Sequence, residues 1–176
     1  ATVSAAEIVD SGECGDNLTW TLDDEGTLTI SGKGAMDDYP IEDSKSAPWA
    51  DYTIFNVVME KGLTVIGEDA FYHNFDIASV SLPNSLIEIR ECAFSNTNIG
   101  KIVIPDSVTE IGEGAFSQCG ALVDVTLPKN LRTLNNNVFS GCDSLEKIVI
   151  PESVRSIETY TFYSCGSLVD ITFPSK

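Results

Sequence analysis

Apolar positions in this chain fall into columns that repeat at a fixed interval. The phenylalanines Phe71, Phe94, Phe116, Phe139 and Phe162 are spaced by 23, 22, 23 and 23 residues, and Pro83, Pro105, Pro128, Pro151 and Pro174 keep the same beat. Aligned on phenylalanine, the units read I-x-x-x-A-F-x-x-C-x-x-L-x-x-I-x-L-P-x-S-V-x-x, with one residue missing from the Phe94 unit. Each opens on Ile66, Ile89, Ile111, Leu134 or Ile157, and a further column holds Leu122, Leu145 and Leu168 after Ile77 and Ile99. A period of this length belongs to a solenoid, whose units cannot bury their apolar face alone and must stack.

Within each unit, Val80-Ser81-Leu82, Ile102-Val103-Ile104, Val125-Thr126-Leu127, Ile148-Val149-Ile150 and Ile171-Thr172-Phe173 alternate and are rich in β-branched residues. This predicts one short parallel strand per coil, with the outer two residues inward and the middle one outward. Proline follows each strand and, lacking an N–H, ends the ladder without an unpaired donor. The return path carries Gly, Asn and Ser and is too short for a long helix, which predicts turns and 3₁₀ pieces on the convex side. The five phenylalanines then stack at the parallel-strand spacing of about 5 Å, each contributing about 2–3 kcal/mol by burial. Their role is structural.

The frame extends upstream. Val57-Val58-Met59 takes the strand position, with Glu60 where proline would stand, so a degenerate first coil begins near Ile54. Residues 54–176 are assigned to the solenoid and 1–53 to a cap. In the cap, Leu18–Leu22 and Leu28–Ile30 alternate around Asp23-Asp24-Glu25-Gly26, the pattern of a β-hairpin. Its face of Leu18, Trp20, Leu22, Leu28 and Ile30 suits a cover for the first coil. A polar stretch from Met36 to Ala47 ends in Pro48-Trp49, which anchors the loop back on the cap. The first dozen residues read as a frayed lead-in. Trp20 and Trp49 have two readings, as seals of the solenoid end or as platforms for stacking sugars.

These residues carry a resemblance. Ser11-Gly12-Glu13-Cys14-Gly15-Asp16-Asn17-Leu18-Thr19-Trp20, Gly26-Thr27-Leu28-Thr29-Ile30-Ser31-Gly32 and Ala47-Pro48-Trp49 resemble the head of BspA-like bacterial surface proteins. The repeats resemble that family's Treponema pallidum-type leucine-rich repeat, IGxxAFxxCxxLxxIxIPxSVxx, and the likeness covers Ser11 to Pro174. It implies a right-handed leucine-rich-repeat solenoid, secreted or anchored at the cell surface. It also implies adhesion to host matrix proteins such as fibronectin and fibrinogen, and coaggregation. No catalytic residues come with it. The chain departs from the pattern in the short Phe94 coil and at Asn135-Asn136-Asn137.

Composition narrows the partners. The chain holds 27 acids and 10 bases, a formal charge of −17, which argues against nucleic acid and anionic membranes. Residues 1–50 contain 11 of the acids and 2 of the bases, an excess that serves solubility on an exposed surface. Asp23-Asp24-Glu25 and Asp37-Asp38 are the candidates for weak Ca²⁺ binding but lack the spacing of a dedicated loop, so no metal or cofactor is assigned. Cys119, Cys142 and Cys165 share a column with Asn74 and Thr97. Stacked side chains point the same way, so these thiols are expected free and buried, in a polar ladder between coils. Their spacing does not converge on a zinc ion. Cys14 and Cys92 stand apart. No run approaches a membrane span and no signal peptide is present. The start at Ala1 and stop at Lys176 read as a trimmed piece of a longer exported protein.

Chemistry has little purchase here. His73, the single histidine, sits on a convex turn beside Asn74 and Asp76, whereas an active Cys–His pair needs an electropositive pocket. The open strand face is the better candidate. One outward column is Val58, Ser81, Val103, Thr126, Val149 and Thr172; beside it run Asn56, Ser79, Lys101, Asp124, Lys147 and Asp170. The Lys–Asp alternation either fixes coil register or serves a ligand. The first expectation is a non-enzymatic surface module that binds an extracellular protein, of the host matrix or another bacterial surface, through this face. The alternative is a structural spacer or glycan-binding stalk. Exposed aromatics on the strand face would favour glycans, and the outward column has none.

Overall fold

A computed structural model describes residues 5–43 and 46–174. Four strands lie in the cap: β1 (Ile8–Gly15), β2 (Leu18–Asp23), β3 (Thr27–Gly32) and β4 (Gly34–Ala35). The coils follow with β5 (Asn56–Met59), β6 (Leu63–Ile66), β7 (Ser79–Ser81), β8 (Glu88–Ile89) and β9 (Lys101–Val103). Then come β10 (Glu110–Ile111), β11 (Asp124–Thr126), β12 (Thr133–Leu134), β13 (Lys147–Val149), β14 (Ser156–Ile157) and β15 (Asp170–Thr172). The chain is a leucine-rich-repeat solenoid capped at its N-terminal end.

The face strands start one residue earlier than the alternation suggested. Lys101, not Ile102, opens β9, so the burial pattern reads exposed, buried, exposed, and Ile104 is buried just beyond the strand. Each coil also holds a second, two- to four-residue parallel strand on its opening isoleucine column, in the sheets β4-β6-β8-β10 and β12-β14. The remaining return path is turns. Among the described residues the one 3₁₀ turn, Ile41–Asp43, is in the cap.

Those turns have a rule of their own. Two positions per coil, two residues either side of phenylalanine, adopt left-handed backbone: Asp69 and His73, Cys92 and Asn96, Gly114 and Gln118, Asn137 and Gly141, Tyr160 and Ser164, with φ from 50° to 73°. Three alternate N–H groups then point toward the next coil. Asp69 donates to Glu91 O (3.0 Å), Phe71 to Ala93 O (2.8 Å) and His73 to Ser95 O (3.0 Å). Coils starting from Phe94, Phe116 and Phe139 repeat the triplet. These bonds satisfy buried backbone groups that no helix or wide sheet would pair. Non-glycine residues fill eight of the ten described left-handed positions, each against a preference of about 1–2 kcal/mol.

The rings stack along the axis at 5.2 Å (Phe71–Phe94), 5.4 Å (Phe94–Phe116), 5.8 Å (Phe116–Phe139) and 6.0 Å (Phe139–Phe162), within 11° of parallel. The first four are fully buried; Phe162 and Cys165, in the last described coil, are only partly so.

The cap differs from the sequence expectation in two ways. Of the dozen residues read as a frayed lead-in, 1–4 lie outside the described residues, and from Ile8 onward the chain is in β1, which pairs antiparallel with β2. Its strand order rests on backbone bonds, since Ile8 and Val9 stay exposed, and so the apolar pattern was silent. Beyond the β2–β3 hairpin, β3 runs parallel to β5 (Thr27↔Asn56 to Ile30↔Met59), and β4 pairs with β6. The strand-face ladder therefore continues upstream to Thr27 and the second ladder to Gly34. Trp49 takes the phenylalanine's place. It stacks on Phe71 at 5.3 Å and 17°, and its indole N–H donates to Ala70 O (2.8 Å), as the main-chain N–H of phenylalanine does elsewhere. Trp49 and Trp20 are buried, which removes them as sugar platforms. Arg90 bridges Asp38 of the cap loop (2.7 Å) and Glu88 (3.2 Å). Part of the Met36–Ala47 stretch, residues 44–45, lies outside the described residues.

Candidate functional site

The strand face is set by one physical rule: β-pairing in register puts every second side chain on one side. Asn56, Val57 and Val58 pair with Ser79, Val80 and Ser81; Lys101, Ile102 and Val103 with Asp124, Val125 and Thr126; Lys147, Ile148 and Val149 with Asp170, Ile171 and Thr172. The central residue of each triplet turns into the core. The outer two form the two predicted columns. Val58, Val103 and Val149 are 38%, 67% and 64% exposed, and Ser81, Thr126 and Thr172 are exposed with them.

In the second column, Lys101, Asp124, Lys147 and Asp170 are all exposed. Lys101 and Asp124 are direct register partners, as are Lys147 and Asp170, yet no ion pair within 4.0 Å joins them among the described residues. Register is carried by the backbone bonds and the phenylalanine stack, which leaves these charges to solvent or a ligand. Two lysines and two aspartates cancel, so the face is close to neutral on a chain of charge −17.

A third outward column escaped the sequence reading. Phe55, Ala78, Gly100, Val123, Glu146 and Val169 precede the strands and are linked coil to coil by backbone bonds such as Ala78 N–H to Phe55 O (3.0 Å) and Val123 N–H to Gly100 O (2.8 Å). Phe55, Val123 and Val169 are exposed, which widens the apolar stripe and places one aromatic at its cap end. The signal was present in sequence, but a period-2 alternation assigns this column inward.

The opposite edge carries acids the sequence reading also missed: Glu68, Glu91 and Glu113, three residues before successive phenylalanines. With Glu88, Arg90, Glu110 and the Asn135–Asn136 pair they line an open groove of about 320 Å³. Partial desolvation, then the charge of neighbouring acids, raises the carboxyls of Glu68 and Glu91 above the ordinary range, and burial raises Asp69. Among the described residues no group of three or more acids, histidines or cysteines is arranged to hold a metal ion.

The thiols are all free. Cys119, Cys142 and Cys165 each donate to the phenylalanine carbonyl of the coil before, at 3.2, 3.3 and 3.0 Å, and Thr97 Oγ1 lies 3.4 Å from Cys119 Sγ. Burial pushes Cys14 up to about 12 and Cys92 to about 11, and it raises the ladder thiols as well. That is opposite to the shift an attacking thiolate needs. His73 stacks against Tyr72 (3.9 Å) and lies tilted beside Phe75 (5.1 Å).

Residues 50–176 match the BspA type leucine rich repeat region, in 6 copies. The chain belongs to that family. Solved structures resemble this BspA-type chain along most of its length. A leucine-rich repeat protein from Eubacterium ventriosum is 27% identical with a TM-score of 0.80, over 94% of this chain and 44% of that one. The Treponema pallidum leucine-rich repeat protein is 28% identical with a TM-score of 0.64, over 92% and 82%. The pneumococcal vaccine antigen PcpA, at 14% identity and a TM-score of 0.60 over 97% and 49%, shares the fold. The chain thus spans less than half of the Eubacterium protein. No curated protein matches it. Among the described residues no helix is long and apolar enough to cross a membrane.

Proposed function

We propose that this chain is a non-enzymatic interaction module of an exported, surface-displayed bacterial protein, and that it binds an extracellular protein through the strand face. The observation that carries the reading is the contrast between that face and the rest. Val58, Val103 and Val149 lie uncovered in a near-neutral stripe while the acids gather elsewhere. Uncovered β-branched rows on a solenoid offer a flat, preformed surface whose desolvation costs little. Lys101, Asp124, Lys147 and Asp170, which no ion pair joins among the described residues, add a charge pattern that selects and orients a partner. Membership of the BspA-type family supports a protein partner, of the host matrix or another bacterial surface. Exposed Phe55 at the stripe's edge favours a second ligand class, a glycan stacked on an aromatic.

The test is binding of the purified chain to immobilised matrix proteins and mucin glycans. Saturable binding to a protein, abolished by Thr126→Arg with Val149→Glu in a folded chain, supports the reading. Binding to glycans alone, lost with Phe55→Ala, replaces it with the stalk reading. No saturable binding to any member of the panel favours a spacer.

A further inference from the structure

The cap covers the Phe71 coil incompletely. In later coils the carbonyl after phenylalanine accepts an N–H from the turn before: Ser95 O takes His73 N–H (3.0 Å), Ser117 O takes Asn96 N–H (2.9 Å) and Ser140 O takes Gln118 N–H (2.6 Å). In the Phe71 coil two carbonyls of the row are met from the cap, Glu68 O by Tyr39 N–H (2.9 Å) and Ala70 O by the Trp49 indole (2.8 Å). The third, Tyr72 O, accepts no hydrogen bond among the described residues. The Asn74 side chain is a second group left over. Thr97, Cys119 and Cys142 in its column each bond a phenylalanine carbonyl, whereas the Asn74 amide bonds nothing among the described residues. Both residues line an open cavity of about 340 Å³ between the cap loop and this turn. Asp69 lines it as well; one of its carboxylate oxygens accepts Ile41 N–H (3.2 Å), and the other accepts no hydrogen bond among the described residues. A smaller hollow of about 160 Å³ shares Ala50 and Asn74 with the cavity and adds Asp51, Asp76 and the exposed Phe75.

A backbone carbonyl and a carboxylate only accept hydrogen bonds, so an occupant must donate at several points. No lysine or arginine lines either hollow among the described residues. Residues 1–100 hold 18 acids and 4 bases, a net of −14, against 9 acids and 6 bases, a net of −3, over residues 101–176. Such a field draws a cation. A guanidinium presents a planar fork of N–H donors and no acceptor. Its methylene stem packs on apolar walls, here Ile41, Ala47 and Ala50. We propose that this cavity takes the arginine side chain of a partner protein, the guanidinium donating to Tyr72 O, the Asp69 carboxylate and Asn74 Oδ1. The cavity is open to solvent, which suits a side chain reaching in from a surface rather than an enclosed free molecule. Phe75, 61% exposed, offers the flanking peptide an apolar contact. A second copy of this chain, at −17, is repelled. The site lies apart from the strand face and stands whether or not that face binds a protein.

The test titrates the whole chain with an acetylated and amidated Gly-Arg-Gly peptide and with its citrulline counterpart, which keeps the shape and removes the charge. Calorimetry reads the affinity, and the amide shifts of Tyr72, His73 and Asn74 read the location. The arginine peptide should bind saturably and the citrulline peptide at least about tenfold more weakly. Asp69→Asn should weaken the arginine peptide by at least about tenfold. Asparagine suits the left-handed φ of 53° at this position and keeps an acceptor for Ile41 N–H. Ala50→Leu, at an exposed turn position, fills the cavity and should weaken binding to a similar degree. Thr126→Arg with Val149→Glu should bind the peptide as the parent does, which separates this site from the strand face. Equal affinity for the two peptides, no saturable binding of the arginine peptide, or unchanged affinity in both Asp69→Asn and Ala50→Leu would overturn the proposal. So would loss of peptide binding in the strand-face variant.

Discussion

Replacing Phe116 by alanine removes the middle of the aromatic spine. Its ring is fully buried between Phe94 at 5.4 Å and Phe139 at 5.8 Å. Collapse around the vacancy is resisted, because the N–H of Phe94 is held by Ala115 O (2.8 Å) and that of Phe116 by Val138 O (3.0 Å). The cost belongs near the upper part of the usual range for buried phenylalanine, about 3–5 kcal/mol. Two ring contacts of about 0.5–1.5 kcal/mol each account for part of it. Among the described residues Phe162 has one ring neighbour, at 6.0 Å, and it is partly exposed, so Phe162→Ala should cost only about 1–2 kcal/mol. Urea unfolding would be followed by far-UV circular dichroism and by tryptophan fluorescence; both tryptophans, Trp20 and Trp49, report the cap. In a one-dimensional array a weak centre separates the halves, so the two signals should diverge in Phe116→Ala and coincide in Phe162→Ala. Equal costs for the two variants, or a cost below about 1 kcal/mol at Phe116, would refute the stack as the source of stability.

The thiol ladder predicts an order of labelling in the native chain: Cys165 reacts with Ellman's reagent while Cys119 and Cys142 wait for unfolding, and simultaneous reaction would contradict it. Gly67→Ala should loosen the cap by about 1–3 kcal/mol, because its Cβ would sit 1.8 Å from Asp37 O; a red shift of tryptophan emission in a chain with unchanged circular dichroism is the readout. Glu91 has a folded-state carboxyl raised by desolvation and then by Glu113, so the folded state holds its proton more tightly than the unfolded chain. That contribution is favourable below the ordinary value of 4.5 and is lost as pH rises through the raised one. Glu91→Gln should therefore raise Tm at pH about 7.5 and lose that advantage near pH 4; a pH-independent difference would count against the acid column.

Most of the fold was readable because one column dominates. A phenylalanine every 22 or 23 residues dictates coil length, and the alternation around Ile102, Val125 and Ile148 dictates which strand residues face in. Trp49 stands 22 residues before Phe71, on the same beat, and marks the cap as a modified coil; its change of residue type hid it. β1 was hidden for a different reason. It is held by backbone pairing to β2, and backbone bonds leave no side-chain signature. The left-handed turn positions were equally silent, since Asp69, Cys92, Gln118 and Tyr160 share no chemistry that favours φ > 0. For the site, the columns through Val103 and Lys101 followed from alternation alone. The Phe55–Val169 column did not, because two consecutive residues, Phe55 and Asn56, both avoid the core where the chain enters β5.

The most direct measurement sets two folded double variants side by side against the same immobilised protein ligand: Thr126→Arg with Val149→Glu on the strand face, and Glu91→Lys with Glu113→Lys on the opposite edge. If the neutral stripe is the binding surface, the first pair loses binding by at least about a hundredfold and the second stays within a few-fold of the parent. Loss in the second pair with binding intact in the first would place recognition on the acidic edge and contradict the assignment of the strand face.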